Sequence, residues 1–340
     1  MLKVDYYYPP EESLHGVDAV VERAERLGFD GFFTAETRHD PFLPLALAAR
    51  KSQHLTLGTA IAVAFPRSPT VMAHTAWDLA AASQGRFILG LGTQVKAHIT
   101  RRFGGEWFSP GPRMRDYLLA MRAIFSAWQS GDRLAYEGEF YRLSLMTPFF
   151  NPGPIEFPKV PLAIAGVGPY MARLAGELCD GFHVHPFHTV RYLDEVVLPQ
   201  MKAGADAAGR DLSDVQRITT VFVVTGRDQG EIEQAMTPVK AQIGFYASTP
   251  DYAPILELHG WDLSEKLRSM SRQGQWAEMA GLIPDEMVEE VAVVAPLDRL
   301  GPAIRDRYGD RVQRVGYYAI DQSARLPDEL WAALVADTKG

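Results

Sequence analysis

Leu55-Thr56-Leu57-Gly58-Thr59-Ala60-Ile61-Ala62-Val63-Ala64 is an uncharged run of small and branched residues. A run of this kind suits a strand buried on both faces, the situation of a parallel sheet covered by helices. Pro66 and Pro69 end it. Residues 43–51 before it and 71–82 after it carry helical spacing, with Val71, Thr75 and Leu79 on one side of the second. The same alternation continues outward. Toward the N-terminus lie a strand at 2–7, a helix carrying Leu14, Val17, Val20, Val21, Ala24 and Leu27 and closed by Gly28, and a strand at 31–34. Toward the C-terminus come a strand at 86–90 and a helical stripe of Tyr117, Leu118, Met121, Ile124, Phe125 and Trp128. Residues 133–143 read as a β-hairpin around Glu137-Gly138, and 151–158 as a Pro-rich loop. Strands at 161–165, 181–185, 218–225 and 314–319 then alternate with helices at 169–178, 190–208, from 229, and at 327–336. Eight strands alternating with helices imply parallel βαβ units and an α/β fold, the (β/α)8 TIM barrel. A doubly wound sheet is the rival, but no GxGxxG follows the first strand.

The chain has 340 residues, more than the ~250 of a simple barrel. The surplus falls at 96–113, 131–160 and 244–298. The expectation is a single barrel domain over 1–340 with inserted segments on the substrate side. The 34 Lys and Arg against 42 Asp and Glu give a net charge of −8, which argues against a general nucleic-acid binder. The lone Cys179 excludes an internal disulfide and a thiolate zinc site. No run of about 18 apolar residues is present, and Asp5 interrupts the start where a signal peptide would continue its apolar core. A cytoplasmic protein is expected.

A barrel of this type places its active site at the C-terminal ends of the strands. The residues there are unusual. The second strand runs into Glu36 and His39, candidates for a general acid or base; the alternative for Glu36 is a structural ion pair with Arg38 or Arg67. The fifth strand runs into Gly166-Val167-Gly168-Pro169-Tyr170, where glycines and a helix N-terminus suit an anion such as a phosphate. A tight strand-to-helix turn explains the same residues. His183 and His185 share one side of the sixth strand, with His188 nearby. They read as a polar pocket wall or as part of a metal site, and no third ligand is identifiable, so no metal is expected. Trp107, Phe108, Phe149 and Phe150 lie in inserted segments, as pocket wall or as local packing. Met270, Trp276 and Met279, in a lid-like segment, read as packing. GxSxG, P-loop and HExxH motifs are absent.

At these strand ends the chain resembles the luciferase-like monooxygenase superfamily, a barrel family that uses flavin or the deazaflavin F420, and within it the F420-dependent oxidoreductases. The residues that carry the likeness are Gly28-Phe29-Asp30-Gly31 to Glu36, Leu57-Gly58-Thr59-Ala60 to Pro69, Ser83-Gln84-Gly85-Arg86-Phe87-Ile88-Leu89-Gly90-Leu91-Gly92-Thr93-Gln94-Val95, and Ile164-Ala165-Gly166 to Asp180-Gly181-Phe182. The likeness implies a cis peptide at Ala60–Ile61 behind the cofactor ring, with Glu36 beside that ring. It implies Thr93 and Val95 near the cofactor tail, and Gly166, Val167, Gly168 and Tyr170 at the tail phosphate. Trp107, His183 and His185 would shape the substrate pocket, and Glu36 or His39 would manage the proton. Hydride transfer at C5 of the deazaflavin is the implied chemistry. The His–Glu pair of the family's sugar-phosphate dehydrogenases is replaced by Thr37 and Val95, which disfavours glucose-6-phosphate oxidation and favours a less polar substrate. FMN is the alternative cofactor, as in an FMN-dependent monooxygenase. A non-catalytic flavin-binding protein is a second alternative. A homodimer is implied, with a small-molecule substrate and no nucleic-acid or membrane partner. On this reading Gly166→Asp weakens F420 binding without unfolding the chain.

Overall fold

The computed structural model describes residues 1–318 and 326–340. Eight parallel strands close on themselves: β1 Lys3–Tyr7, β2 Gly31–Thr34, β3 Thr56–Thr59, β4 Phe87–Gly92, β5 Leu162–Gly166, β6 Gly181–Val184, β7 Gln216–Val224 and β8 Arg314–Tyr318. The seam runs between β1 and β8, with Lys3 opposite Arg314 and Asp5 opposite Gly316. The expected (β/α)8 barrel is therefore present. The last residue of the expected eighth strand, Ala319, lies outside the described residues.

Helices wrap the barrel because each presents an apolar stripe to it. In helix Val17–Arg26 the buried residues are Val17, Val21 and Ala24, spaced four and three apart. Burying each valine contributes about 1.5–3 kcal/mol. Helix Pro69–Ala82 starts on Ser68, whose side chain accepts the Val71 amide, and it packs on helix Pro110–Ser130 through Trp77 stacked on Phe125 at 5.4 Å. Cys179 is buried in this shell, and burial pushes its thiol up to about 12. It is a packing residue and not a nucleophile.

Three departures from the sequence reading bear on the site. First, the run 55–64 is not one strand. β3 stops at Thr59, the Ala60–Ile61 peptide is cis, and the chain resumes as a short strand, Ala62–Val63, paired with Leu91 and Gly92 of β4. Thr59 bridges the gap: its hydroxyl donates to the Gly90 carbonyl at 2.7 Å and accepts the Gly90 amide at 2.9 Å. Second, the segment 131–160 adds nothing to the mouth of the barrel. Its hairpin, Tyr136–Glu137 and Arg142–Leu143, is held on the flank of helix Pro110–Ser130 by Asp116, which accepts the Phe140 and Tyr141 amides at 2.6 and 2.9 Å. Phe149 and Phe150 pack edge-on to each other and are exposed. Third, Ala292–Val294 forms an extra strand along Phe222–Val224 of β7, too short to show in the sequence pattern. Segment 244–298 otherwise forms helices, among them Ala253–His259 and Ser264–Arg272, and its first residues, from Tyr246 to Pro254, reach the mouth of the barrel.

The seam is pinned by a buried ion pair. Arg314 Nε donates to Asp5 Oδ2 at 2.8 Å and Nη2 donates to Oδ1, with both side chains within 1% of full burial. The guanidinium also lies 5.6 Å from the centre of the Phe33 ring. Removing one partner leaves an uncompensated buried charge, which costs about 3–5 kcal/mol. Asp5→Asn is expected to lose that much in urea unfolding. The double change Asp5→Leu with Arg314→Met is expected to recover most of it. Equal loss in the single and double variants would show that the pair is not what sets the cost.

Candidate functional site

The C-terminal ends of the strands open into a cavity of about 1780 Å³. Small-molecule sites usually span ~300–1,000 Å³, so a cofactor and a substrate fit together here. Its walls come from the turns after β2, β3, β4, β5 and β6 and from Tyr246 and Tyr252 of segment 244–298. Most of the residues singled out in the sequence meet in this one space: Glu36, Ala60, Ile61, Thr93, Val95, Trp107, Gly166, Val167, Gly168, Tyr170, His183 and His185 all line it. His39 does not. It is exposed beyond the rim and is not among the lining residues. Phe108, Phe149, Phe150, Met270, Trp276 and Met279 are also outside the lining.

Glu36 is 8% exposed, and its carboxylate is fully engaged. The Val63 amide donates to Oε2 at 2.7 Å, and Arg67 Nη1 donates to Oε1 and Oε2 at 3.0 and 2.8 Å. Arg67 Nη2 donates onward to Asp40 Oδ2 at 3.1 Å. The Glu36 amide itself donates to the Ile61 carbonyl at 3.0 Å. Glu36 thus clamps the break between β3 and Ala62–Val63 and holds the Ala60–Ile61 wall in the cavity. Protonating it would undo an ion pair with Arg67, the structural alternative noted above.

At the opposite side, β5 leads into helix Pro169–Leu178. Its N-cap, Gly168, has no side chain to cap the helix, and the helix begins with proline. The amides of the first turn therefore have no partner within the helix, and the helix dipole adds positive potential. A Cβ on Gly168 would meet no atom within 4 Å, so the terminus faces open cavity. Tyr192 fixes the turn from behind by donating its hydroxyl to the Val167 carbonyl at 3.1 Å. This donor set suits a phosphate. Gly166 is different: a Cβ there would lie 2.3 Å from Met171 Cβ. Gly166→Asp would disturb the backbone as well as the charge, contrary to the sequence expectation, and Gly168 is the position where a side chain enters without a clash.

The histidines do not converge on one point. His183 Nε2 is buried against Gly90 with no hydrogen-bond partner among the described residues, and the ring sits edge-on to Phe33 at 6.0 Å. His185 Nδ1 accepts the Phe187 amide at 3.1 Å and its Nε2 lies 3.0 Å from the Tyr252 hydroxyl. His188 Nδ1 is 2.8 Å from the His185 carbonyl, and His188 does not line the cavity. Among the described residues no group of three or more His, Cys, Asp or Glu side chains is arranged to hold a metal. Burial pushes His183 and His185 down to about 3 and His188 to about 4, so all three are neutral at pH 7.

Sequence reading missed the aromatic wall. Tyr246 and Tyr252 sit 4.7 Å from the His185 ring, Tyr246 edge-on, and the Tyr246 and Tyr318 hydroxyls are 2.8 Å apart. Trp107 lies edge-on to Phe65 at 6.3 Å on the far wall. The only sequence signal was the density of tyrosine at 246–252, which without the fold has no address.

The luciferase-like monooxygenase family model matches residues 3–314. An uncharacterized protein of Mycobacterium tuberculosis is 47% identical over 307 residues, 90% of each chain. A second protein of that organism, named a putative coenzyme F420-dependent oxidoreductase, is 28% identical over 305 residues, covering 83% of this chain and 84% of its own. Among solved structures, the coenzyme F420-dependent tetrahydromethanopterin reductase of Methanopyrus kandleri superposes with a TM-score of 0.79 at 20% identity, over 99% of this chain and 98% of that one. The oxygenating constituent of 3,6-diketocamphane monooxygenase of Pseudomonas putida, in complex with FMN, superposes with a TM-score of 0.68 at 16% identity, over 99% and 97%.

The buried imidazoles make stability depend on pH. His183 titrates at its ordinary 6.5 when unfolded, and burial pushes it down to about 3 when folded. Below pH 6.5 the unfolded chain binds a proton that the folded chain refuses. Its contribution is therefore complete above 6.5 and is lost as pH falls toward 3. Near pH 5 it adds a slope of about 1.4 kcal/mol per pH unit. Urea unfolding from pH 7 to 4.5 is expected to show a shallower slope in His183→Gln by about that amount. An unchanged slope would contradict the neutral, buried assignment.

Proposed function

The chain belongs to the luciferase-like monooxygenase family, and we propose that it is a coenzyme F420-dependent oxidoreductase acting on a small, rather apolar organic substrate. The observation that carries this reading is a single cavity with two unlike ends: an uncapped helix N-terminus at Gly168, fit for a phosphate, and the Ala60–Ile61 wall, fit for a flat ring. The 28%-identical relative named as F420-dependent supports the choice of cofactor. Bound F420 supplies a hydride donor or acceptor at C5 of its ring.

The remaining work belongs to this chain. Glu36 and Arg67 hold the ring-side wall in place, and Thr93 and Val95 line the path between ring and tail. The amides of Gly168, Tyr170 and Met171 take the phosphate. His183, His185 and Trp107 shape the substrate end, with no charged side chain among them at neutral pH. The protein's contribution is to bring donor and acceptor carbons together and keep water out, while the cofactor carries the chemistry. Glu36, tied to Arg67 and Val63, serves as a positioning group, and His39, outside the cavity, has no part in the reaction. The reading also includes a homodimer, a cytoplasmic location and one barrel unit with the 96–113 and 244–298 segments over the site.

The FMN-complexed neighbour has the same fold, and FMN also carries a phosphate, so it is the competing ligand. Fluorescence titration of the purified protein with F420 and with FMN separates them. F420 is expected to bind and FMN to bind weakly or not at all. Tight FMN binding without F420 binding would overturn the proposal. Gly168→Asp is expected to weaken F420 about tenfold by placing a carboxylate at the helix terminus, with thermal unfolding no lower, because aspartate is a favoured N-cap.

A further inference from the structure

The hydrogen bonds around His185 run in one direction. The backbone follows His185 with Pro186, which has no amide hydrogen, so the first amide available is that of Phe187. It donates to His185 Nδ1 at 3.1 Å. A neutral imidazole has one N–H. Burial keeps this ring neutral, and with Nδ1 already accepting, the proton is on Nε2. Nε2 lies 3.0 Å from the Tyr252 hydroxyl oxygen, so the imidazole donates and the phenol accepts. The phenol hydrogen must then point elsewhere. Among the described residues it has no acceptor, and Tyr252 lines the cavity. The neighbouring hydroxyls of Tyr246 and Tyr318 pair with each other at 2.8 Å. Tyr246 packs edge-on against His185 and at 5.8 Å from Tyr252, which holds both rings in place.

We propose that the Tyr252 hydroxyl is the hydrogen-bond donor for an acceptor oxygen of the substrate, of carbonyl type, and that His185 is the positioning residue that turns its proton into the cavity. The inference deepens the proposed function and rests on its identification of this cavity as the substrate site, independently of which cofactor binds. Each donor in the chain Phe187–His185–Tyr252 is polarised by the one before it, which strengthens the last bond. A donor with no protein partner discriminates sharply. A ligand with an acceptor oxygen satisfies it, and one without leaves a buried hydroxyl unpaired.

The test uses the purified full-length protein and acetophenone labelled with carbon-13 at the carbonyl, with ethylbenzene as the matched probe lacking oxygen. Binding is followed by calorimetry and the carbonyl stretch by difference infrared spectroscopy. The wild type is expected to bind acetophenone about tenfold more tightly than ethylbenzene and to shift the carbonyl band to lower frequency than in hydrocarbon solvent. Tyr252→Phe is expected to abolish both the preference and the shift without weakening ethylbenzene, which no longer leaves a hydroxyl unpaired. His185→Phe retains the hydroxyl and is expected to lose most of the shift, an effect that mere packing would not produce. The proposal is overturned if the wild type shows no preference for acetophenone, or if Tyr252→Phe weakens both probes equally. An unchanged band in His185→Phe removes His185 from the account. Failure of F420 to bind, with the carbonyl shift intact, would overturn the cofactor assignment and leave this inference standing.

Discussion

One buried carboxylate decides the shape of the site. In a parallel barrel successive amides of a strand turn alternately to its two neighbours. Ala62–Val63 keeps one neighbour: the Ala64 amide reaches the Gly92 carbonyl at 3.0 Å. On its other side β2 has already ended at Thr34, so the Val63 amide would be unpaired. Leaving it so would cost about 1–3 kcal/mol. Glu36 reaches back to accept it, and Arg67 balances the charge. This clamp holds the chain where it leaves β3, passes through Ala60–Ile61 into the barrel mouth and rejoins the sheet. The Ala60–Ile61 wall of the cavity is held in place by that hydrogen bond.

The rest of the cavity follows the same logic of satisfied and unsatisfied groups. Asp5 and Arg314 neutralise each other below it, and the Tyr246–Tyr318 pair closes on itself. Among the described residues, unspent hydrogen-bond donors lie at the first turn of helix Pro169–Leu178 and at the Tyr252 hydroxyl, and the His183 Nε2 is also without a partner. Backbone amides and a phenol can therefore offer donors to an anion at one end and to an acceptor oxygen at the other, even in an acidic protein.

The barrel was legible because buried parallel strands and amphipathic helices leave strong periodic signals, and the eight strands lie within a few residues of where the pattern puts them. The interruption of 55–64 was not legible from the residues themselves. Ala60 and Ile61 are as apolar as their neighbours, and only the family resemblance pointed to the bend. Glu36 was visible, and Arg67 was one of two arginines offered as its partner, but the Val63 amide and the choice between Arg38 and Arg67 were not. Val63 and Arg67 are 27 and 31 residues away, and the choice between an acid and an anchor depends on them. His39 was misplaced by proximity in sequence: it follows Glu36 by three residues, yet the loop carries it outward. Tyr252 comes from a segment with no fixed relation to the strands, so its meeting with His185 exists only in three dimensions. The hairpin at 136–143 was read correctly as a hairpin, but its position is dictated by Asp116, twenty residues earlier.

Amide hydrogen exchange in the free protein and with F420 tests the central claim, that one end of the cavity is already built and the other awaits an anion. The account predicts a Val63 amide that exchanges slowly with or without F420, because Glu36 already holds it. It predicts amides of Gly168, Tyr170 and Met171 that exchange quickly in the free protein and slowly once F420 is bound. A Val63 amide that exchanges freely, or a helix terminus that F420 leaves unprotected, would contradict it.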